Sequence, residues 1–171
     1  GTHPHRFDVR RTEIELDHLP EDFDGFTILQ VSDLHNRGYG KDRRDLLRNI
    51  ETLDFDMVAI TGDLLDRLLP KRRKNVYALL DTLKDKEPVY FVEGNHEAAI
   101  GNWDDIRAEF IKRAVRVLNN EAVTFARNDS ELILCGIREE ASPGEIEELI
   151  PKDRCIILLA HHPERIEDYA R

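Results

Sequence analysis

An α/β layered domain is the fold class that the sequence predicts, on three observations. Short β-rich apolar runs alternate with stretches whose apolar residues recur at helical spacing. Polar or Gly-bearing segments follow the runs, and no repeat, linker or low-complexity stretch interrupts the pattern. The 171 residues suit one domain, 1–171.

The elements follow in order. Residues 7–16 alternate loosely through Phe7, Val9, Ile14 and Leu16 before Pro20 to Gly25 break the pattern, which predicts an edge strand leading into the core. Phe26 to Val31 reads as a buried strand that empties into Ser32-Asp33-Leu34-His35 and the Gly-bearing stretch Asn36 to Gly40. From Lys41 to Leu53, the spacing of Leu46, Leu47, Ile50 and Leu53 predicts an amphipathic helix. Asp56 to Thr61 is the next strand, ending at Gly62-Asp63. Val76, Leu79, Leu80 and Leu83 mark a helix, and Val89 to Val92 forms a third strand ending at Gly94-Asn95-His96-Glu97. Trp103, Ile106, Phe110 and Ile111 mark a further helix, with Trp103 and Phe110 read as core. Val123 to Phe125 and Glu131 to Ile137 read as a hairpin across Arg127-Asn128-Asp129, Gly144 to Ile150 as a short acidic helix, and Arg154 to Ala160 as the last strand, ending at His161-His162-Pro163. Glu164 to Arg171 is helix-like, with no Gly or Asn to close it.

Composition narrows the function. No apolar run exceeds strand length, so none spans a membrane. Lysine and arginine total 25 against 35 acidic residues, and the net charge of -10 opposes tracking of a nucleic-acid backbone; duplex nucleic acid is not an expected partner. Cys135 and Cys155 lie in apolar runs without CxxC or Cys/His spacing and read as buried thiols. No GxxxxGK[ST] or GxGxxG follows any strand, which sets aside a phosphate-loop nucleotide site.

The chemistry-bearing residues gather at strand ends. Asp33 and His35, Asp63, Asn95 and His96, and His161 each fall just past the carboxyl end of a predicted strand, where open α/β sheets collect their ligands. Extended backbone through Asp33-Leu34-His35 would put both polar side chains on one side and Leu34 in the core, so that a carboxylate and an imidazole share a cation. Gly62 permits a sharp turn, after which Asp63 can offer one oxygen to each of two ions; Asn95 adds a carbonyl oxygen and His161 a nitrogen. Oxygen and imidazole donors favour Mn, Fe, Zn or Mg over a thiolate-bound ion. Two ions about 3.5–4 Å apart would clamp the attacking and leaving oxygens of an in-line displacement at phosphorus and activate water near neutral pH. His96 is then the natural group to stabilise the transferred phosphoryl oxygen or protonate the leaving group.

Singly, each block is weak, because an Asp after a strand is commonly a cap or turn former. Four blocks in order at four strand ends carry the reading. His162 and Asp66 read as supporting groups beside the ligands, and Lys71-Arg72-Arg73-Lys74 as a solvated face, with anionic lipid headgroups as the alternative.

Ser32-Asp33-Leu34-His35, Gly62-Asp63-Leu64-Leu65-Asp66, Gly94-Asn95-His96-Glu97 and Ala160-His161-His162-Pro163 resemble, in order and spacing, four of the five signature blocks of the calcineurin-like metallophosphoesterases. The resemblance runs from about Phe26 to the C-terminus and is greatest to the compact bacterial branch that includes membrane-associated lipid-headgroup pyrophosphatases. It implies a two-sheet sandwich flanked by helices and a dinuclear hydrolase of phosphate diesters or pyrophosphates, on a small-molecule or lipid-headgroup substrate. It also implies that Asp33 and His35 hold the first divalent ion, that Asp63 bridges, that Asn95 and His161 hold the second, and that His96 is catalytic. The fifth block, Gly-His-x-His, does not occur before Arg171, and the chain opens Gly1-Thr2-His3-Pro4 without an initiator Met. The expectations drawn from these ends are an incomplete second sheet, self-association and weak metal binding by the chain. A missing N-terminal segment would tether an otherwise soluble domain to a membrane. The rival reading is a non-catalytic metal- or phosphate-binding module on the same scaffold.

Overall fold

Two sheets carry the chain in the computed structural model, which describes residues 7–39, 45–151 and 153–169. The first sheet has the order β1 (Ile28–Val31), β2 (Met57–Thr61), β3 (Val89–Val92), β4 (Val115–Val117), all parallel. The second has the order β5 (Glu121–Arg127), β6 (Ser130–Gly136), β7 (Ile156–Leu159), with β5 antiparallel and β7 parallel to β6. The helices are α1 (Asp45–Glu51), α2 (Arg73–Leu83), α3 (Asn95–Ala98), α4 (Trp103–Ile111), α5 (Pro143–Leu149) and α6 (Ile166–Tyr169).

The alternation of side chains along β2 and β3 builds the layers. Val58, Ile60, Val89 and Phe91 face Ile50 of α1, Val76, Leu79, Leu80 and Leu83 of α2, and Ile106 and Phe110 of α4. Met57, Ala59, Tyr90 and Val92 face Val123, Leu134 and Leu159 of the second sheet. Both strands are buried throughout, as parallel strands covered on two faces must be, so their sequences read as unbroken apolar runs. On the outer face of the second sheet, Ile137, Ala141 and Ile146 pack with Leu158, Ala160 and Tyr169. The result is the expected two-sheet sandwich flanked by helices.

Most expected elements are present. The hairpin is longer than its apolar core suggested, and it closes through Asn128-Asp129, where Asn128 takes the left-handed conformation (φ 51°) that two-residue hairpin turns require. Trp103 stacks with Phe91 and Phe110 against the core, its indole N–H donating to Glu93 at 2.6 Å. Residues 41–44 of the expected first helix and Ala170 and Arg171 of the last lie outside the described residues.

Two expectations are corrected and one strand is added. Residues 7–16 form no strand, and Val9, Ile14 and Leu16 are 58%, 73% and 52% exposed. Alternation says which side of a strand would face a core, but a strand exists only where an edge pairs with it. β4 went unread because Val115-Arg116-Val117 is too short to show a period; it is defined by its pairing with β3. Cys135 is a buried free thiol, its ionisation pushed up by burial, whereas Cys155 is only half-buried. Among the described residues no helix is long and apolar enough to cross a membrane.

The start of α5 shows how local chemistry sets an element. Ser142 Oγ accepts from Glu145 N, the Glu145 carboxylate accepts from Ser142 N at 2.8 Å, and Pro143 fixes the first helical turn. Arg138 also donates to Glu145 at 2.7 Å, and Asn120 at 3.1 Å. The Ser142 N–H foremost, then Arg138, hold this carboxyl down at about 2, against an ordinary 4.5. A carboxyl whose pKa falls on folding stabilises above its unfolded value and loses that contribution as pH drops through its folded one. Denaturant midpoints of the wild type and Glu145→Gln should therefore differ at neutral pH and converge between about pH 4.5 and about pH 2; a gap independent of pH would contradict this.

Candidate metal centre

The carboxyl ends of β1, β2 and β3 lie side by side, and the loops after them continue the ladder. Asp33 N donates to Gly62 O at 3.2 Å, His35 N to Asp63 O at 3.0 Å and Asn36 N to Leu64 O at 2.9 Å. To keep this pairing while turning side chains toward one another, Asp33 (φ 57°), His35 (φ 48°), Asn36 (φ 60°) and Asp63 (φ 50°) adopt the left-handed conformation. That conformation costs roughly 1–2 kcal/mol per non-glycine residue, and Asn, Asp and His are the types that tolerate it best. The extended geometry expected at Asp33-Leu34-His35 is thus wrong, although its consequence holds: Leu34 is buried in the core while Asp33 and His35 turn into the site.

Asp63 is the centre of the arrangement. Its Oδ1 accepts from the backbone N–H of His96 at 2.9 Å, which leaves Oδ2 facing three imidazoles: His161 Nε2 at 3.6 Å, His35 Nε2 at 3.8 Å and His96 Nε2 at 4.0 Å. His35 Nε2 is also 3.9 Å from Asp33 Oδ1, and His161 Nε2 is 3.3 Å from Asn95 Oδ1. All six residues singled out in the sequence therefore meet in one place. The tightest groupings differ from those the resemblance implies. Asp33, Asp63 and His161 form one, and His35, Asp66 and His96 the other, the potential ligand atoms of each lying within 4.8 Å of one another.

These residues suit divalent cations. His161 Nδ1 lies 2.8 Å from the Thr61 carbonyl, which can only accept, so Nδ1 carries the proton. The Nε2 of the same ring faces two acceptors, the Asp63 carboxylate and the Asn95 side-chain oxygen. Acceptors facing one another need a cation between them, whether a proton or a metal ion. The separations of 3.6–4.0 Å around Asp63 Oδ2 exceed hydrogen bonds and are a little wider than those of ligands sharing one ion, so a cation among them would draw the donors inward. His35 Nδ1 and His96 Nδ1 are buried without a hydrogen bond among the described residues, a further sign of donor and acceptor capacity left for a ligand.

Close backbone approach makes the crowding possible. A Cβ at Gly62 (φ 88°) would stand 2.7 Å from His161 Nδ1 and 2.8 Å from Gly94 Cα, and one at Gly94 would strike the Asp63 carboxylate. Both glycines are therefore part of the site's geometry.

Glu97, in the Gly94-Asn95-His96-Glu97 block, carries a role that its sequence does not announce. The side chain is fully buried and accepts three backbone N–H groups, from Asp63 (2.8 Å) and Gly94 (3.0 Å) at Oε2 and from Leu65 (2.7 Å) at Oε1. Burial pushes its carboxyl up to about 7, against the pull of the three N–H groups. The usable signal was an acidic residue in a segment entering the core, which needs several donors if it is to be buried at all. Asn36, a loop residue by its sequence, is also fully buried. Its amide donates to the carbonyls of Asp66 (2.9 Å) and Leu69 (3.1 Å), fixing the base of the loop after Asp63. His162 stands between two carboxylates, Glu139 at Nε2 and Glu164 at Nδ1, both at 2.6 Å, and these hold it above the ordinary imidazole range. Both its nitrogens are thereby occupied away from Asp63.

Residues 26–171 match the calcineurin-like phosphoesterase family. The chain belongs to that family. Phosphoesterase is the activity by which that family is named. The chain is 29% identical to a bovine transmembrane protein with a metallophosphoesterase domain, over 91% of this chain and 39% of the relative. It is also 29% identical to an uncharacterized metallophosphoesterase of Helicobacter pylori, over 92% of this chain and 43% of the relative. It thus spans about two fifths of the length of these relatives. Among solved structures, NAD nucleotidase from Haemophilus influenzae superposes with a TM-score of 0.57 at 14% identity, over 85% of this chain and 36% of that one, a likeness of fold.

Within this phosphoesterase fold, Glu97 yields a direct test. Glu97→Ala leaves three buried N–H groups without acceptors, each costing about 1–3 kcal/mol. Urea denaturation should register a loss of about 3 kcal/mol or more, and Mn²⁺ affinity should fall with it. Wild-type stability in this variant would mean that water or other acceptors replace the carboxylate and that it braces nothing.

Proposed function

We propose that the protein is a dinuclear metallophosphohydrolase that cleaves diester or pyrophosphate bonds in phosphorylated small molecules or lipid headgroups. The observation that carries this reading is the Asp63 Oδ2 atom faced by three imidazole nitrogens, with His161 Nε2 also beside the Asn95 side-chain oxygen. Asp33 and His35 would hold one ion, Asn95 and His161 the other, and Asp63 would serve both. Bound there, the ions supply Lewis acidity toward phosphoryl oxygens and an activated water near neutral pH.

The protein's own groups divide the remaining work. Thr61 O holds the His161 proton at Nδ1 and keeps Nε2 turned inward. The His96 backbone N–H anchors Asp63 Oδ1, so the carboxylate cannot rotate away from the three rings. The His96 side chain, with Nε2 toward the site and Nδ1 buried, is the candidate to stabilise the phosphoryl oxygens and to deliver a proton to the leaving-group oxygen. The bovine relative is named a transmembrane protein, which supports a membrane-linked setting for the natural protein.

Two variants test the assignment, with a generic aryl phosphodiester as substrate and Mn²⁺ supplied. Asp63→Ala should abolish hydrolysis and lower metal stoichiometry at both positions; two retained ions would remove its bridging role. His96→Ala should keep its metal and slow turnover by ~10²–10⁴-fold, less for leaving groups that need no proton. Metal loss equal to that of Asp63→Ala would make His96 a ligand. Tight metal binding with no turnover of any phosphodiester or pyrophosphate would favour the non-catalytic module.

A further inference from the structure

The stretch Arg67-Leu68-Leu69-Pro70-Lys71-Arg72-Arg73-Lys74 holds five cationic residues and no acidic one in a chain whose net charge is -10. Arg67, Lys71, Arg72 and Lys74 are exposed, and among the described residues no ion pair engages any of them. Beside them Leu68 is 74% exposed, the most exposed of the large apolar side chains described. Cations and an exposed aliphatic side chain thus share one turn of the surface.

The segment is held in that attitude from below. Leu68 N donates to Asp66 Oδ1 at 2.8 Å, Leu69 N to Asp66 O at 3.1 Å and Arg72 N to Leu69 O at 2.9 Å. The buried Asn36 ties the carbonyls of both Asp66 and Leu69 to the body of the domain. Leu69 and Arg73 are partly buried and stay with the protein, while Leu68 is turned outward. Because the turn is already fixed, presenting Leu68 requires little further ordering on contact.

We propose that residues 67–74 form a docking surface for an anionic lipid bilayer, with Leu68 entering the headgroup region and Arg67, Lys71, Arg72 and Lys74 facing the anionic headgroups. An exposed aliphatic side chain in a run of exposed cations matches the interface of an anionic bilayer, which offers an apolar layer beneath negative charge. A nucleic-acid backbone offers the charge but no aliphatic layer, and no aromatic side chain lies in the stretch to stack on bases. The overall negative charge does not prevent docking, since at physiological salt charges beyond about 8 Å are largely screened and the membrane responds to the nearest residues. The loop springs from Asp66, whose Oδ1 is 3.8 Å from His96 Nδ1, so docking would bring the candidate metal centre close to the lipid surface. The proposal does not depend on that centre being catalytic.

Vesicle co-sedimentation of the 171-residue chain without substrate tests it directly. Binding is expected to phosphatidylcholine vesicles containing about 30% phosphatidylserine and not to phosphatidylcholine alone, and it should weaken severalfold from about 0.15 M to about 0.5 M NaCl. Removing a cation near such a surface costs roughly fivefold, so K71E/R72E/K74E should lose at least ~100-fold in partitioning. Leu68→Ser, with all charges kept, should lose roughly tenfold. All four positions are exposed, so circular dichroism should match the wild type; should the charge-reversal variant misfold, Leu68→Ser and the salt series still decide. Absence of binding, equal binding to neutral vesicles, or wild-type binding by Leu68→Ser would overturn the proposal. So would equal affinity for a DNA duplex at the same phosphate concentration, which would make the surface a general polyanion patch.

Discussion

The carboxylate of Glu97, buried with no exposed surface, holds the loop after β3 to the loop after β2 by accepting N–H groups from Gly94, Asp63 and Leu65. Those loops carry Asp63, Asn95 and His96, so half of the candidate site takes its backbone positions from one side chain. A buried carboxylate is costly unless its oxygens are satisfied, and here both are. The same burial that makes it expensive excludes water that would otherwise compete for the three N–H groups. The crowded approach of Gly62 to Gly94 depends on this bracing, because nothing larger than hydrogen fits between the loops at either position.

From that brace the site extends outward across both sheets. The β1 and β2 loops remain laced by backbone bonds past the ends of their strands, while left-handed residues swing Asp33, His35 and Asp63 together. Such conformations persist only where the surroundings over-determine them, and they gather where side chains must converge. The second sheet contributes His161 from the end of β7, and its Nδ1 contact with the Thr61 carbonyl of β2 is both a tie between sheets and the feature that fixes the ring's tautomer. Packing of Met57, Ala59, Tyr90 and Val92 against Val123, Leu134 and Leu159 sets the distance that this contact spans. The gathering of these candidate ligands is thus a consequence of how the sandwich closes.

Much of this was legible in the sequence for a simple reason. Asp33, His35, Asp63, Asn95 and His96 follow strands of the parallel sheet, whose ends lie together, so its topology gathers them, and His161 joins them from the second sheet as the sandwich closes. The parallel strands β2 and β3 were legible because burial on both faces makes them continuously apolar. What escaped has equally physical causes. Glu97 acts through hydrogen bonds to residues more than thirty positions away, which no local pattern encodes. The left-handed turn at Asp33 and His35 is imposed by the neighbouring loop rather than by their own sequence. Asn36 looked like a turn residue because its role lies in what its amide donates to after folding. Residues 7–16 had the right alternation but pair with no strand edge, so periodicity alone misled.

The central claim is that Asp63, braced through Glu97 and faced by three imidazoles, is the shared carboxylate of a cation centre. Anomalous diffraction at the manganese edge, from crystals grown with Mn²⁺, addresses it most directly. The account predicts two anomalous peaks flanking the Asp63 carboxylate, one shared with Asp33 and His35 and the other in contact with Asn95 and His161 Nε2. Each should lie at ordinary coordination distances of about 2.0–2.3 Å. A single peak away from Asp63, or density showing His161 turned so that Nε2 meets the Thr61 carbonyl, would contradict it.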